Sequence, residues 1–261
     1  MSQEVACPCP IEKRTIQTQS FSFAEIPQQS KLFIEYQKNP LSLKEYYPNA
    51  VDSHTQISQR IPEVLQNYKT DRSILCDVLL DMNGGCTTTE KTLENIKLLR
   101  ESETVAVVSG QQAGLFTGPL YTVYKALSAV KMTECLRGRG FKAVPVFWIA
   151  TEDHDFLEVS NAFIINKNGN LAELRNEPKR CYENLPVGYV KTDDSIKQTI
   201  DELFQNLPHT EFTAELREMI EKTWEPNVDF GDAFARMLTK IIGKYGIILL
   251  CPLDERLKKL A

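Results

Sequence analysis

Two short β-branched runs, separated by a glycine-marked loop and a helical stretch, constrain this chain more than any other feature. Residues 104–108 (Thr-Val-Ala-Val-Val) read as a buried strand. Residues 109–118 form a loop with glycines at 110, 114 and 118. From Pro119 to Leu136, apolar residues recur at 120, 123, 124, 127 and 130, which is helical spacing, and Gly138 and Gly140 end the run. Residues 144–150 form a second buried strand. Strand, helix and strand joined by short links make a βαβ unit, so the class is α/β with a parallel sheet and a right-handed crossover.

The rest of the chain is arranged around that unit. Residues 1–100 read as a mostly helical N-terminal region packed on the core. A helix over 31–38 stops at Asn39-Pro40, another starts at Ile61-Pro62, and an apolar segment over 74–82 stops at Asn83-Gly84-Gly85. Thr87 and Glu90 have the spacing of a capping box for a helix through Arg100. Residues 101–160 hold the βαβ unit. Residues 161–225 read as an insertion: a hairpin around 166–170, a further strand at 189–191, a helix capped by Ser195 and Gln198, and a helix near 211–224. Residues 226–261 return to the core with a helix over 230–244 and a third apolar strand at 247–250. That strand lacks alternation, so it should be covered on both faces. The last ten residues resemble a newly opened helix, which suggests a chain cut short, with one cover of the strand supplied from beyond residue 261.

Composition narrows the function. The net charge is −5 and no basic run exceeds a few residues. Nucleic acid is therefore not the expected partner. The longest apolar runs are far below the ~20 residues that span a bilayer, and the N-terminus lacks a signal-peptide core. Seven scattered cysteines contain no Cys-x-x-Cys pair. Reduced thiols in the cytoplasm are the expectation, with no membrane contact. The Cys7-Pro-Cys9 pair reads as part of a terminal tail.

Two segments carry chemistry. The first is Ser109-Gly-Gln-Gln-Ala-Gly-Leu-Phe-Thr-Gly118. Gly110, Gly114 and Gly118 permit tight turns and close backbone approach, while Gln111 and Gln112 can each donate and accept. Pro119 fits a first helical turn with Thr117 or Gly118 as cap, and a helix N-terminus after a strand suits an anion. The segment is neither a P-loop nor Gly-x-Gly-x-x-Gly. Lys125 reads either as a solvated lysine or as one reaching back about 9 Å toward a phosphate. Tyr121 is near enough to reach a ligand. The second segment delivers Glu152, Asp153, His154 and Asp155 at a strand's carboxyl end, where open α/β sheets bind ligands. Asp153 and His154 are the leading acid/base candidates, with Asp155 beside them. An extended backbone would set His154 opposite Asp153 and Asp155, so convergence needs a sharp turn. The expectation is one pocket holding Gln111, Gln112, Thr117 and Gly118 with Asp153 and His154. No metal ligand set is expected. His54 and His209 lack partners at ligand spacing.

Together these segments resemble the bacillithiol cysteine-adding enzyme family. The resemblance lies in residues 108–122, Lys125-Ala126, residues 145–155, residues 232–236 and residues 246–254. Ser109 and Cys251 depart from the expected threonine and small or acidic residue. The resemblance implies a Rossmann-like, nucleotidylyl-transferase-like core with connecting-peptide insertions, in a chain about twice this length that ends in a dimerising coiled coil. It also implies a ligase adding cysteine to glucosaminyl-malate, forming an amide, with homodimeric full-length protein and an inactive isolated fragment. ATP or another nucleotide would activate the carboxylate, through an adenylate or an acyl phosphate, and Mg²⁺ is compatible with its phosphates. The implied nucleotide- and substrate-binding residues are Gly110, Gln111, Gln112, Gly114, Thr117, Gly118, Tyr121 and Lys125, and the implied catalytic ones Asp153, His154 and Asp155. Another nucleotide-dependent transferase, or a ligand-binding protein without activity, fits the same fold.

Overall fold

The computed structural model describes residues 19–48, 54–85, 88–179, 182 and 184–260. The chain divides into two compact units, Met1–Ile57 and Ser58–Ala261. The Cys7–Cys9 tail and Thr87 lie outside the described residues.

In the first unit, α1 (Lys31–Lys38) is capped by Ser30, whose hydroxyl accepts from Phe33 N at 3.1 Å. Asn39 ends it, because the following Pro40 disfavours helical backbone in the residue before it. Phe23 meets Phe33 edge-on at 4.9 Å.

Helix α2 (His54–Gln59) crosses the division between the units, and the second unit is built on a sheet of three parallel strands in the order β1-β2-β5. These are β1 (Val105–Gln112), β2 (Ala143–Ala150) and β5 (Ile248–Leu250). Strand alternation decides what covers each face. Val144, Val146 and Ile248 pack against Cys76, Leu79, Ile96 and Leu99 of α4 (Arg72–Met82) and α5 (Glu90–Leu99). Phe147, Ile149 and Leu249 face Ala126 and Val130 of α6 (Tyr121–Gly138) and Phe234 and Leu238 of α10 (Phe230–Ile242). Both faces of β5 are thus covered from within the chain, and the expected external cover is not needed. On the side of β5 away from β2, the backbone of Leu249 is paired by a side chain. Asn83, fully buried, donates to Leu249 O at 2.8 Å and accepts from Leu249 N at 2.8 Å. Ile61 of α3 (Ile61–Asn67) joins Val105, Leu136 and Ala143 in a smaller cluster.

Beside the sheet, α7 (Phe156–Val159) leads into a separate antiparallel hairpin, β3 (Asn161–Ile165) and β4 (Leu171–Arg175). Then come α8 (Ser195–Asn206), α9 (Thr213–Thr223), α10 and, after β5, α11 (Glu255–Leu260). Among the described residues, no helix is long and apolar enough to cross a membrane.

Several local readings are corrected. Helix α5 is capped by Thr89, which accepts from Thr92 N at 3.1 Å. The first turn of α8 is held by the Asp193 carboxylate accepting from Ser195 N at 2.9 Å, because the Ser195 hydroxyl is occupied by Asn176 Nδ2. The expected strand at 189–191 is a 3₁₀ turn, Val187–Tyr189, followed by a single bridge from Lys191 to Asp229.

Candidate functional site

The carboxyl ends of β1 and β2 position the site. β1 runs four residues further than its apolar composition indicates, because it pairs with β2 from Val105↔Ala143 to Gln112↔Ala150. Gly110, Gln111 and Gln112 therefore stand on a strand, not in a loop. Gly110 is required by close approach: a Cβ there would lie 2.6 Å from Trp148 O.

After Gln112 the chain reverses tightly. Gly114 precedes a 3₁₀ turn, Leu115–Thr117, and Gly118 N donates back to Leu115 O at 2.8 Å. Phe116, Thr117 and Gly118 all have positive φ, of 52°, 77° and 68°. At Gly118 ψ is −155°, a combination open in practice only to glycine. Thr117 and Gly118 are spent on this reversal and cannot adopt the extended backbone of an N-cap. Helix α6 consequently begins at Tyr121, with Leu120 as an N-cap that makes no side-chain bond. Burial holds the turn: Leu115 is fully buried, and the Phe116 ring meets Trp224 edge-on at 5.5 Å.

Gln111 and Gln112 are held differently. Lys125 Nζ donates to Gln111 Oε1 at 2.9 Å, and Gln111 Nε2 reaches Tyr121 OH at 3.3 Å. Lys125 is thus neither simply solvated nor ion-paired among the described residues. Gln112 Nε2 donates to Asp153 Oδ2 and, at 3.1 Å, to Glu158 Oε2. The Gln112–Asp153 bond ties the glycine segment to the acidic segment.

The acidic segment turns sharply after Ile149, with Thr151 N bonded to Ile149 O at 2.7 Å. The turn lets Asp153, His154 and Asp155 line one cavity, where an extended backbone would have separated them. Asp155 caps α7 by accepting from Glu158 N at 3.0 Å. Hydrogen bonds from Gln112 and from the Asp155 N–H, assisted by His154, hold the Asp153 carboxyl below its ordinary range. Glu152 turns away, accepting from Trp148 Nε1 at 3.3 Å, and its Oε2 is buried without a partner. Nearby, burial raises the Asp232 carboxyl above its ordinary range, and Asp229 adds to the effect. Burial, with Asp232 and Glu152, pushes the Cys251 thiol up to about 12.

The expected site residues fall into three linked concavities. Gly110, Gln111, Gln112 and Lys125 line a shallow one of about 530 Å³ with Trp148. Gln111, Gln112, Gly114, Gly118 and Tyr121 line another of about 230 Å³, where Glu158 and Phe163 complete the wall. Asp153, His154 and Asp155 line the largest, about 700 Å³, with Arg175, Asn176 and Tyr182. Thr117 is buried and acts through its backbone. Glu158, Phe163, Arg175, Asn176 and Tyr182 are the residues sequence reasoning missed. They come from α7 and the segment at 161–184, and no local motif marks them. Among the described residues, no cluster of three or more His, Cys, Asp or Glu could hold a metal.

Comparison with known proteins gives a consistent picture. The family profile described as "Bacillithiol biosynthesis BshC, N-terminal Rossmann-like domain" matches residues 17–261. A protein of Salinibacter ruber named "Putative cysteine ligase BshC" is 32% identical over 97% of this chain and 46% of its own length. Proteins of the same name from Chlorobaculum tepidum and Bacillus cytotoxicus are 39% and 34% identical, over 73% and 75% of this chain and 34% and 36% of theirs. The chain thus spans between a third and a half of the length of these relatives.

Proposed function

The chain belongs to the BshC family through its N-terminal Rossmann-like domain, and from that premise we propose that it forms the catalytic core of a ligase joining cysteine to an amine. The fuller reading is addition of cysteine to glucosaminyl-malate, forming an amide. Condensing a carboxylate with an amine releases water and is uphill, so a nucleoside triphosphate is the fitting activator. When bound, the nucleotide supplies a phosphoryl or nucleotidyl group that turns the carboxylate oxygen into a leaving group.

The observation that carries this reading is the Gln112–Asp153 bond at the sheet's carboxyl edge. It joins an uncharged, amide-rich segment beside Lys125 to a carboxylate–histidine segment, which are the two halves such a reaction needs. Lys125 and Gln111 suit an anionic group, because the ammonium has no carboxylate partner among the described residues and the amide can turn its N–H outward. Gly110 leaves room beside the half-exposed Trp148 ring. Asp153, kept ionised, can orient the amine, and His154 on the same cavity wall can take the proton the amine loses. Magnesium, where required, would be held largely by the nucleotide's own phosphates.

The test is mass-spectrometric detection of the cysteinyl product from cysteine, glucosaminyl-malate and nucleotide, using a protein of the relatives' full length. Lys125→Ala there should raise the KM for nucleotide. Absence of nucleotide-dependent product, or a Lys125→Ala protein with unchanged KM and kcat, would count against the reading.

A further inference from the structure

Asp153 meets Gln112 because the turn at 151–153 is fixed from distant parts of the chain. The 3₁₀ turn Val187–Tyr189 donates to alternate residues of it, Gly188 N to Thr151 O at 2.9 Å and Val187 N to Asp153 O at 2.7 Å. The same turn is tied to the start of α10, where Phe230 N donates to Val190 O at 2.8 Å. The ring of contacts closes through one buried side chain, Thr151, which lies against Gly188 and Gly231.

That closing contact is steric. A Cβ on Gly231, in the first turn of α10, would lie 2.7 Å from Thr151 Cγ2. A Cβ on Gly188 would lie 2.9 Å from Thr151 Cβ. Carbon atoms pack at about 3.5–4.0 Å, so neither glycine can carry a methyl unless Thr151 moves by roughly 1 Å. A β-branched side chain is stiff, and at Gly188 the atom approached is the Cβ itself, so Thr151 cannot turn aside. Backbone conformation does not demand glycine, because neither residue has positive φ. Alanine would suit the helix at 231 better. The Thr151 hydroxyl is not what holds the residue, since its Oγ1 is buried with no partner. What remains is the fit of the Thr151 methyl between two glycines.

We propose that Gly188 and Gly231 are positioning residues of the site: they seat the Thr151 methyl, and the seat sets the Asp153 carboxylate against Gln112. Only its consequence for turnover rests on the ligase reading. Thr151 and Asp153 are two residues apart and are bonded to adjacent residues of the same 3₁₀ turn, so a displacement of Thr151 passes to Asp153. The Gln112–Asp153 bond tolerates little of it, because a donor and acceptor more than about 3.5 Å apart no longer bond. Gln112 Nε2 would then be left with Glu158. Lys125 stands outside this ring of contacts. Its partner Gln111 points to the opposite face of β1 from Gln112.

The test is a pH titration of the Asp153 carboxyl carbon by NMR on the 261-residue chain, its signal assigned by its loss in Asp153→Asn. In the unmodified chain the Gln112 N–H holds this carboxyl below its ordinary range. Gly231→Ala should raise the midpoint toward that range. Thr151→Ser, which empties the seat and loosens the turn, should move it the same way. The double variant Gly231→Ala/Thr151→Ser exchanges one methyl for another. With Cγ2 gone, the nearest atom of residue 151 to the new methyl is its Cβ at 3.9 Å, an ordinary contact, so the midpoint should return to that of the unmodified chain. A role for Gly231 in stability alone would lower Tm and leave the midpoint in place. Should Gly231→Ala fail to fold, Thr151→Ser and the double variant decide. An unchanged midpoint in a folded single variant, or a double variant that does not restore it, would overturn the assignment. In a protein of the relatives' full length, Gly231→Ala should lower kcat by about 10²-fold, as for a misplacement of about 1 Å, with the KM for nucleotide unchanged. A raised midpoint with unchanged turnover would keep the positioning role and remove Asp153 from the ligase reading. An unmoved midpoint with lost turnover would do the reverse.

Discussion

Replacing Asn83 by alanine should destabilise the chain more than most core truncations of similar size. The side chain behaves as a surrogate strand. Leu249 faces β2 across one side of the sheet, and its own N–H and C=O point outward to the Asn83 amide, each at 2.8 Å. A third bond, from Asn83 Nδ2 to Leu79 O at 2.9 Å, locks the amide to the last turn of α4. Alanine removes both outer partners of Leu249 in a place where Asn83 has no solvent exposure. An orphaned buried polar group costs about 1–3 kcal/mol, so two give about 2–6 kcal/mol. For a unit of this size that corresponds to a fall in Tm of roughly 4–24 °C. Asn83→Asp should be at least as harmful, because a carboxylate oxygen would then face the carbonyls of Leu79 and Leu249. Urea unfolding gives the loss, and amide hydrogen exchange at Leu249 shows whether the edge has opened. A loss below about 0.5 kcal/mol with Leu249 still protected would refute the surrogate-strand argument.

Three further outcomes follow from the geometry. Gly118→Ala should cost about 1–3 kcal/mol from backbone strain alone, since the added Cβ meets Gly114 Cα only at 3.5 Å; an unchanged Tm would mean that the turn adopts another backbone. Asp153→Asn and His154→Ala, in a protein of the relatives' full length, should each lower turnover by about 10²–10⁴-fold without lowering Tm, and unchanged kinetics would return both to structural roles. Cys251, held by burial at about 12 against an ordinary 9.0, binds its proton more tightly folded than unfolded. It therefore contributes stability fully below about pH 9 and loses it as pH rises toward 12, so Cys251→Ala should flatten the alkaline fall in urea stability. Rapid iodoacetamide labelling of native Cys251 at pH 8 would contradict this.

The legible part of the fold was that fixed by local composition. Branched runs at 104–108 and 144–150 mark β1 and β2, and parallel pairing then sends both carboxyl ends to one edge, which brings Gln112 against Asp153. What stayed hidden depends on distant partners. Ser109-Gly-Gln-Gln112 has no strand propensity and becomes strand through its register with β2. Asn83 reads locally as the end of a helix, yet its decisive contact lies 166 residues away. Asn176 lies in an unremarkable segment, and only the hydroxyls of Ser195 and Thr199 leave its oxygen stranded at a cavity wall.

The glycine segment shows why the later half of the chain is needed to shape a site written in the earlier half. Phe116 and Thr117 carry left-handed backbone without being glycine, a cost of about 1–3 kcal/mol each. Local sequence cannot hold such a turn, because each residue would relax to negative φ if its side chain were free. The offset comes from burial. Leu115 is wholly enclosed, at about 1.5–3 kcal/mol, and the partly enclosed Phe116 adds less. The enclosure is supplied by Trp224 from the end of α9, whose ring stands edge-on to Phe230 of α10 at 4.9 Å, and Phe230 in turn meets Phe156 of the acidic segment at 5.3 Å. The same aromatic cluster therefore holds the strained turn on one side and the cavity wall beside Asp155 on the other. A change at Trp224, far from both motifs in sequence, should loosen the turn and the cavity together.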